Sequence, residues 1–187
     1  MKLPAQLPIA YRWLGDLKVL PKTIEFALDL FGVHEVVGQG SNRTILSWCD
    51  ELNAAGVKIE GYSDDDIPWC GLFAAIVVFR RRDNKNEVVK EPLWARNWAK
   101  YGTKAACACL GDILVFERGS SGHVGFYVAE DTDYYHVLGG NQSDQVGITR
   151  VAKSRCIAIR RPNYQVVPAS VRPYHVASSG AISHDEA

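Results

Sequence analysis

The sequence predicts an α+β domain, with helices in its first half and a mainly antiparallel sheet in its second. Two observations carry this. Up to Gly102 apolar residues recur at intervals of three and four, whereas after Gly111 short runs rich in β-branched and aromatic residues alternate with Gly, Asp, Asn or Ser. The gaps between these runs are too short for crossover helices, so neighbouring strands must run antiparallel.

A first helix is expected from Thr23, where Ile24, Ala27, Leu28 and Phe31 share one face, with Gly32 as its stop. Ser41 or Asn42 caps a second, carrying Ile45, Leu46, Cys49 and Leu52 and ending near Gly56. The third begins close to Pro68, a residue suited to a first helical turn, behind the acidic run Asp64-Asp65-Asp66, whose charge suits a helix N-terminus. It stays apolar through Phe79 and leaves the core at Arg80. Trp94 and Trp98, four residues apart, mark a shorter helix ending at Gly102, and helical spacing favours both as core residues. Strands are expected over residues 113–116, 123–129, 134–138, 146–150 and 156–160. Residues 1–163 read as a single domain. From Tyr164 periodicity is lost, and residues 164–187 read as a disordered tail.

Lys plus Arg and Asp plus Glu number 21 each, so the formal net charge is zero and no broad basic field draws in nucleic acid. Arg80-Arg81-Arg82 reads as the solvated end of a helix. The N-terminal stretch has two prolines and no continuous apolar run, unlike a signal peptide. The longest apolar run, residues 72–79, falls far short of the roughly 20 residues a membrane span needs. Synthesis in the cytoplasm, without membrane insertion, is the expectation. Five cysteines at irregular spacings do not form a disulfide framework, and the pair Cys107 and Cys109 lacks the second ligand pair of a structural zinc site.

Cys70 stands in Pro68-Trp69-Cys70-Gly71, at the predicted start of a buried helix. A free thiol, with a pKa of about 8.5, is mostly unreactive at neutral pH, but a helix N-terminus and an imidazolium neighbour both favour the thiolate. First-turn amides can also receive an oxyanion. His123 follows Gly119-Ser120-Ser121-Gly122 and opens a strand in which Val124, Phe126 and Val128 share one face and His123, Gly125 and Tyr127 the other. With Gly125 leaving open space, the ring is expected to face a cleft. His175 and His184 lie in the tail, His34 in a loop, and His136 inside a strand where a structural role fits better. Asn141, in Leu138-Gly139-Gly140-Asn141-Gln142, ends the next strand, where its amide can accept from the far nitrogen of His123 and fix the tautomer; Asp144 and Asp133 are alternatives. A helix-borne Cys, then a strand-borne His, then a polar orienter is the chain order of papain-like enzymes.

Four segments together resemble the CHAP and NlpC-like peptidoglycan hydrolases, most closely the compact form of phage endolysins: Pro68-Trp69-Cys70-Gly71-x-Phe73, Gly111-Asp112-Ile113-Leu114-Val115-Phe116, Gly122-His123-Val124-Gly125-Phe126, and Leu138-Gly139-Gly140-Asn141-Gln142. Upstream, Glu35 and the Gly38-x-Gly40-x-Asn42 segment also resemble that group, so the likeness spans about residues 20–162. It implies a papain-like fold, a catalytic set of Cys70, His123 and Asn141, no metal or other cofactor, and bacteriolysis by cleavage of peptidoglycan after release from the cell that makes it, acting as a monomer. Gly71 stands where many relatives have Ala. No glutamine precedes Cys70 to complete an oxyanion hole; Gln39 and the backbone at Gly71 are the candidates, with Trp69 as a cleft wall. Two other readings of the same residues are a toxin-like amidase with an inhibitor partner and a non-catalytic wall-binding module.

Overall fold

The computed structural model describes residues 3–82 and 84–177. Three α-helices come first among them: α1 (Lys22–Asp29), α2 (Arg43–Ala54) and α3 (Cys70–Arg82). Every residue of α3 from Cys70 to Phe79 is buried. A helix apolar on all sides must be enclosed, and α1, α2 and one face of the sheet enclose it. Asn42 caps α2 by accepting from the Thr44 amide at 2.8 Å. Beyond the ends of α1 and α2, Gly32 and Gly56 take positive φ angles that a side chain would disfavour.

The sheet comprises β1 (Thr103–Lys104), β2 (Ile113–Arg118), β3 (Ser121–Glu130), β4 (Tyr134–Gly139), β5 (Gly147–Ala152) and β6 (Cys156–Arg161), in the order β1-β6-β2-β3-β4-β5 with every pairing antiparallel. The architecture is therefore α+β. Val124, Phe126 and Val128 join the main core, where the Phe126 ring meets Phe73 of α3 edge-on at 6.0 Å. Tyr127 points the other way, into a smaller core with Leu114, Phe116, Val137 and Val151.

Several details depart from the sequence reading. The stretch Ile9–Asp16 forms an unanticipated 3-10 helix. Trp94 immediately precedes a 3-10 helix, Ala95–Lys100, that contains Trp98 and stands in place of the expected α-helix. At three residues per turn the two rings do not share a face: Trp98 is fully buried, while Trp94 is 66% exposed. The arginine run is not simply solvated. Arg80 makes a two-pronged pair with Glu51 across to α2, and buried Arg81 pairs with Glu87 at 2.6 Å. The acidic run holds a loop, not the helix tip: buried Asp65 accepts from the amides of Val36 and Asn42.

Part of the supposed tail is packed. Residues on either side of His175 bond to the end of β3, with Glu130 donating to the Tyr174 carbonyl and Val176 donating to that of Glu130. The Tyr174 ring stacks on Trp13 at 4.5 Å. Low apolar periodicity hid this because the segment is held mainly by backbone bonds and one aromatic pair. Residues 178–187, including His184, lie outside the described residues. No helix among the described residues is long and apolar enough to cross a membrane.

His136 is structural. Its Nε2 bonds to Asp131 at 3.0 Å and its Nδ1 to the Tyr11 hydroxyl at 2.8 Å, while Arg150 also holds Asp131. Burial opposes ionisation of Asp131, but the bonds from His136, Arg150 and the backbone prevail and hold its pKa at about 2. Burial, the largest influence on His136, lowers its pKa; the neutral ring then donates to Asp131 and accepts from Tyr11. Tyr11→Phe leaves a buried imidazole nitrogen without its donor and is expected to cost about 1–3 kcal/mol in denaturant unfolding; an unchanged midpoint would show that this bond does not tie the N-terminal segment to the sheet.

Candidate active site

Gln142 dictates the state of His123. Its side-chain Nε2 donates to the carbonyls of Gly147 (2.6 Å), Val137 (3.1 Å) and Gly139 (3.4 Å). That leaves Oε1 facing His123 Nε2 at 3.1 Å. An amide oxygen only accepts, so in the neutral ring the proton sits on Nε2 and the basic lone pair on Nδ1. The acceptor predicted at Asn141, with Asp144 or Asp133 in reserve, is therefore supplied by the next residue along. Sequence reasoning missed Gln142 because hairpin geometry narrows the partner to the strand end without saying which of two adjacent amides turns inward.

Asn141 serves the other half of the site. Its Oδ1 accepts from the Trp69 backbone N–H at 3.3 Å, immediately before α3, and its Nδ2 donates to Glu35 Oε1 at 3.0 Å. The same carboxylate oxygen accepts from the Trp69 indole. Half-buried Glu35 is thereby the hub of a knot joining the loop after α1, the residue before Cys70 and the turn after β4. Burial raises the pKa of Glu35, against the lowering effect of the Trp69 indole bond.

The turn fits between helix and strand with no space to spare. A methyl on Gly140 would run into Trp69 and Phe73, and one on Gly139 would press on Gln142 and the His123 ring. Asn141, Ser143 and Asp144 all have left-handed φ angles, of 55°, 52° and 59°. Such strain in ordinary residues persists only where surroundings enforce it, and it concentrates at functional sites. Residues 139–142 thus touch both His123 and the residues flanking Cys70. Cys70 opens α3 and is 5% exposed. The amides of Cys70, Gly71 and Leu72 precede the first intrahelical bond, from Phe73 to the Trp69 carbonyl at 2.9 Å.

Other expectations change. His123 does not line an open cleft: it is fully buried, and the space beside Gly125 is filled by Val137. Trp69 is no cleft wall; it is wholly buried against Trp48, with ring centroids 5.9 Å apart. Gly71 is glycine because the carbonyls of Pro92 and Leu93 lie where a side chain would go. Gln39 is exposed on its loop, outside the knot around Glu35. Asp112 of the Gly-Asp motif is buried and structural, gripping Arg161 of β6 through both oxygens. Among the described residues, Asp64, Asp65 and Asp66 lie close enough together to share an ion. Asp65 and Asp64 already accept from the Val36, Asn42 and Asp66 amides and the Ser41 hydroxyl, and no metal role is assigned to them.

No protein-family model matches the chain, and no curated protein matches it significantly.

Gln142→Leu removes four hydrogen bonds from buried partners and is expected to destabilise the fold by about 2 kcal/mol or more, read by urea unfolding; a smaller loss would mean that the amide is not locked. For Glu35 the folded protein holds its proton more tightly than the unfolded chain. Its contribution to stability therefore falls as pH rises from the ordinary carboxylate range through its raised value. Glu35→Gln should flatten that part of the stability–pH curve, and a curve identical to wild type would refute the assignment.

Proposed function

We propose that the chain is a papain-like cysteine amidase or peptidase that cleaves an amide bond in the peptide portion of peptidoglycan, in the manner of an endolysin. The bond from His123 to Gln142, made by the turn that also holds the tip of α3, is the observation that carries the enzymatic part. It supplies a ring with defined tautomer beside a helix whose first residue is a cysteine. The substrate class rests on the resemblance of four sequence motifs to those of the CHAP and NlpC-like hydrolases.

In this mechanism His123 takes the Cys70 proton on Nδ1, and Gln142 Oε1 steadies the imidazolium that forms. The positive end of α3 favours the thiolate, whose sulfur attacks the amide carbonyl. Backbone amides at Cys70 and Gly71 are the donors for the oxyanion; no side-chain donor is required of Gln39. Collapse of the tetrahedral adduct breaks the carbon–nitrogen bond as His123 returns the proton to the leaving amine. Water, deprotonated by the same ring, then hydrolyses the thioester and restores the thiol. Asn141 acts through Trp69, as a positioning residue for the helix tip, and Glu35 acts through Asn141.

Cys70→Ala is expected to abolish release of new amine ends from purified peptidoglycan while leaving thermal unfolding close to wild type. Retention of clearing by this variant ends the proposal. A thiol-directed amide probe should label Cys70 in the wild type ahead of Cys49, Cys107, Cys109 and Cys156; preferential labelling elsewhere would point to a binding module with an inert thiol.

A further inference from the structure

Two thiols remote in sequence from Cys70 are held against each other. Cys107 is exposed, Cys109 is buried, and their thiols are hydrogen-bonded to one another. The chain bends at Ala106 and Cys107, shortly before β2, and residues two apart in an open stretch can turn their side chains to one side. Between them Ala108 is sunk into the smaller core with Leu114, Phe116 and Tyr127. Backbone bonds on both sides fix this pose. Arg161 donates to the Cys107 carbonyl at 3.1 Å, and the Cys109 amide donates to Asp112 Oδ2 at 2.9 Å. Arg161 donates to that same Asp112 oxygen at 2.8 Å, which closes the clamp.

Cys156, at the margin of the same small core, donates instead to the Ala158 carbonyl at 3.5 Å. Among the described residues, no third thiol, imidazole or carboxylate stands close enough to the two sulfurs to make a three-ligand metal site. The pair consists of an exposed sulfur backed by a buried one, the layout of an attacking and a resolving thiol. Burial pushes the Cys109 thiol up to about 11; Arg161 opposes this, while Asp112 and charge on Cys107 reinforce it. Cys107 is therefore the first to attack, and capping its sulfur removes one of the charges that keep Cys109 protonated.

We propose that Cys107 and Cys109 form a thiol–disulfide exchange site whose co-reactant is a small-molecule disulfide. The Cys107 thiol gives its proton to water, and its sulfur attacks one sulfur of the co-reactant. The S–S bond of the co-reactant breaks, and the departing thiolate takes up a proton. Cys109 then loses its proton, attacks the Cys107 sulfur and displaces the second small thiolate, which is protonated in turn. Two cysteine thiols are oxidised to one disulfide while one small-molecule disulfide is reduced to two thiols, so no other oxidant enters. Neither Cys70 nor His123 takes part, and the site is independent of the amidase reading.

The test equilibrates the full chain in mixtures of reduced and oxidised glutathione, quenches with acid, alkylates the remaining thiols and weighs the tryptic fragments by mass spectrometry. Cleavage after Lys104 and Arg118 puts Cys107 and Cys109 on one fragment and leaves Cys49, Cys70 and Cys156 on others. The expected product is the 105–118 fragment, unalkylated and lighter by two hydrogens. Because folding holds the two sulfurs in contact, it should be half-formed at an oxidised-to-reduced ratio about tenfold lower in the folded chain than in urea. Cys109→Ser should stop at a mixed disulfide on Cys107, and Cys107→Ser should leave Cys109 reduced. Three results overturn the proposal: a 105–118 fragment that stays fully alkylated in oxidised glutathione, a lasting glutathione adduct on Cys107 of the wild type, or equal midpoints for the folded and unfolded chains.

Discussion

The carboxamide of Gln142 has one orientation open to it, because three carbonyl oxygens surround its nitrogen, and the tautomer of His123 follows from that orientation. Most hydrogen bonds in a folded chain restrain a conformation; this one also selects a chemical species. Without it, an imidazole enclosed in the protein could carry its proton on either nitrogen, and only one of the two forms places a lone pair on Nδ1. The rest of the site is arranged around keeping that amide in place. Gly139 leaves room for the Gln142 side chain to fold back, and Gly140 lets the turn sit flush against Trp69 and Phe73.

A second constraint works on the helix. Glu35, Asn141 and Trp69 come from three separated parts of the chain, and a single carboxylate oxygen gathers two of their donors. The loop after α1 is further fastened by backbone pairing between Val33 and Val146 and between Glu35 and Asp144. Loop, helix tip and turn are consequently one mechanical unit, although the sequence separates them by more than thirty and more than seventy residues. Strain at Asn141, Ser143 and Asp144 is tolerated because this unit is tied on both sides.

The elements were legible in the sequence where periodicity and punctuation agreed. The three helices, the Asn42 cap and the five longer strands all follow from apolar spacing and the placement of Gly and Asn. Legibility failed where the deciding forces were not apolar. The acidic run beside Pro68 looked like a helix-dipole partner, yet Asp65 serves backbone amides of a distant loop. Trp94 and Trp98 shared a face only on the assumption of 3.6 residues per turn. For the site, Cys70 and His123 stood out by their neighbours, whereas the division of labour between Asn141 and Gln142 depends on which amide turns inward at a strained turn, a matter of backbone angles that residue type does not reveal.

The segment after β6 has a practical bearing on where this protein ends as a folding unit. Ser170 is buried, Leu110 donates to the carbonyl of Arg172, and Tyr127 donates its hydroxyl to that of Tyr174. Trimming the gene after residue 163, where the composition shifts, would strip the back of β3 and bare the Trp13 ring, turning an apparently dispensable extension into a source of insoluble product. Among the described residues Val176 is the last to bond to the sheet, so a cut that spares this packing must leave Val176 in place.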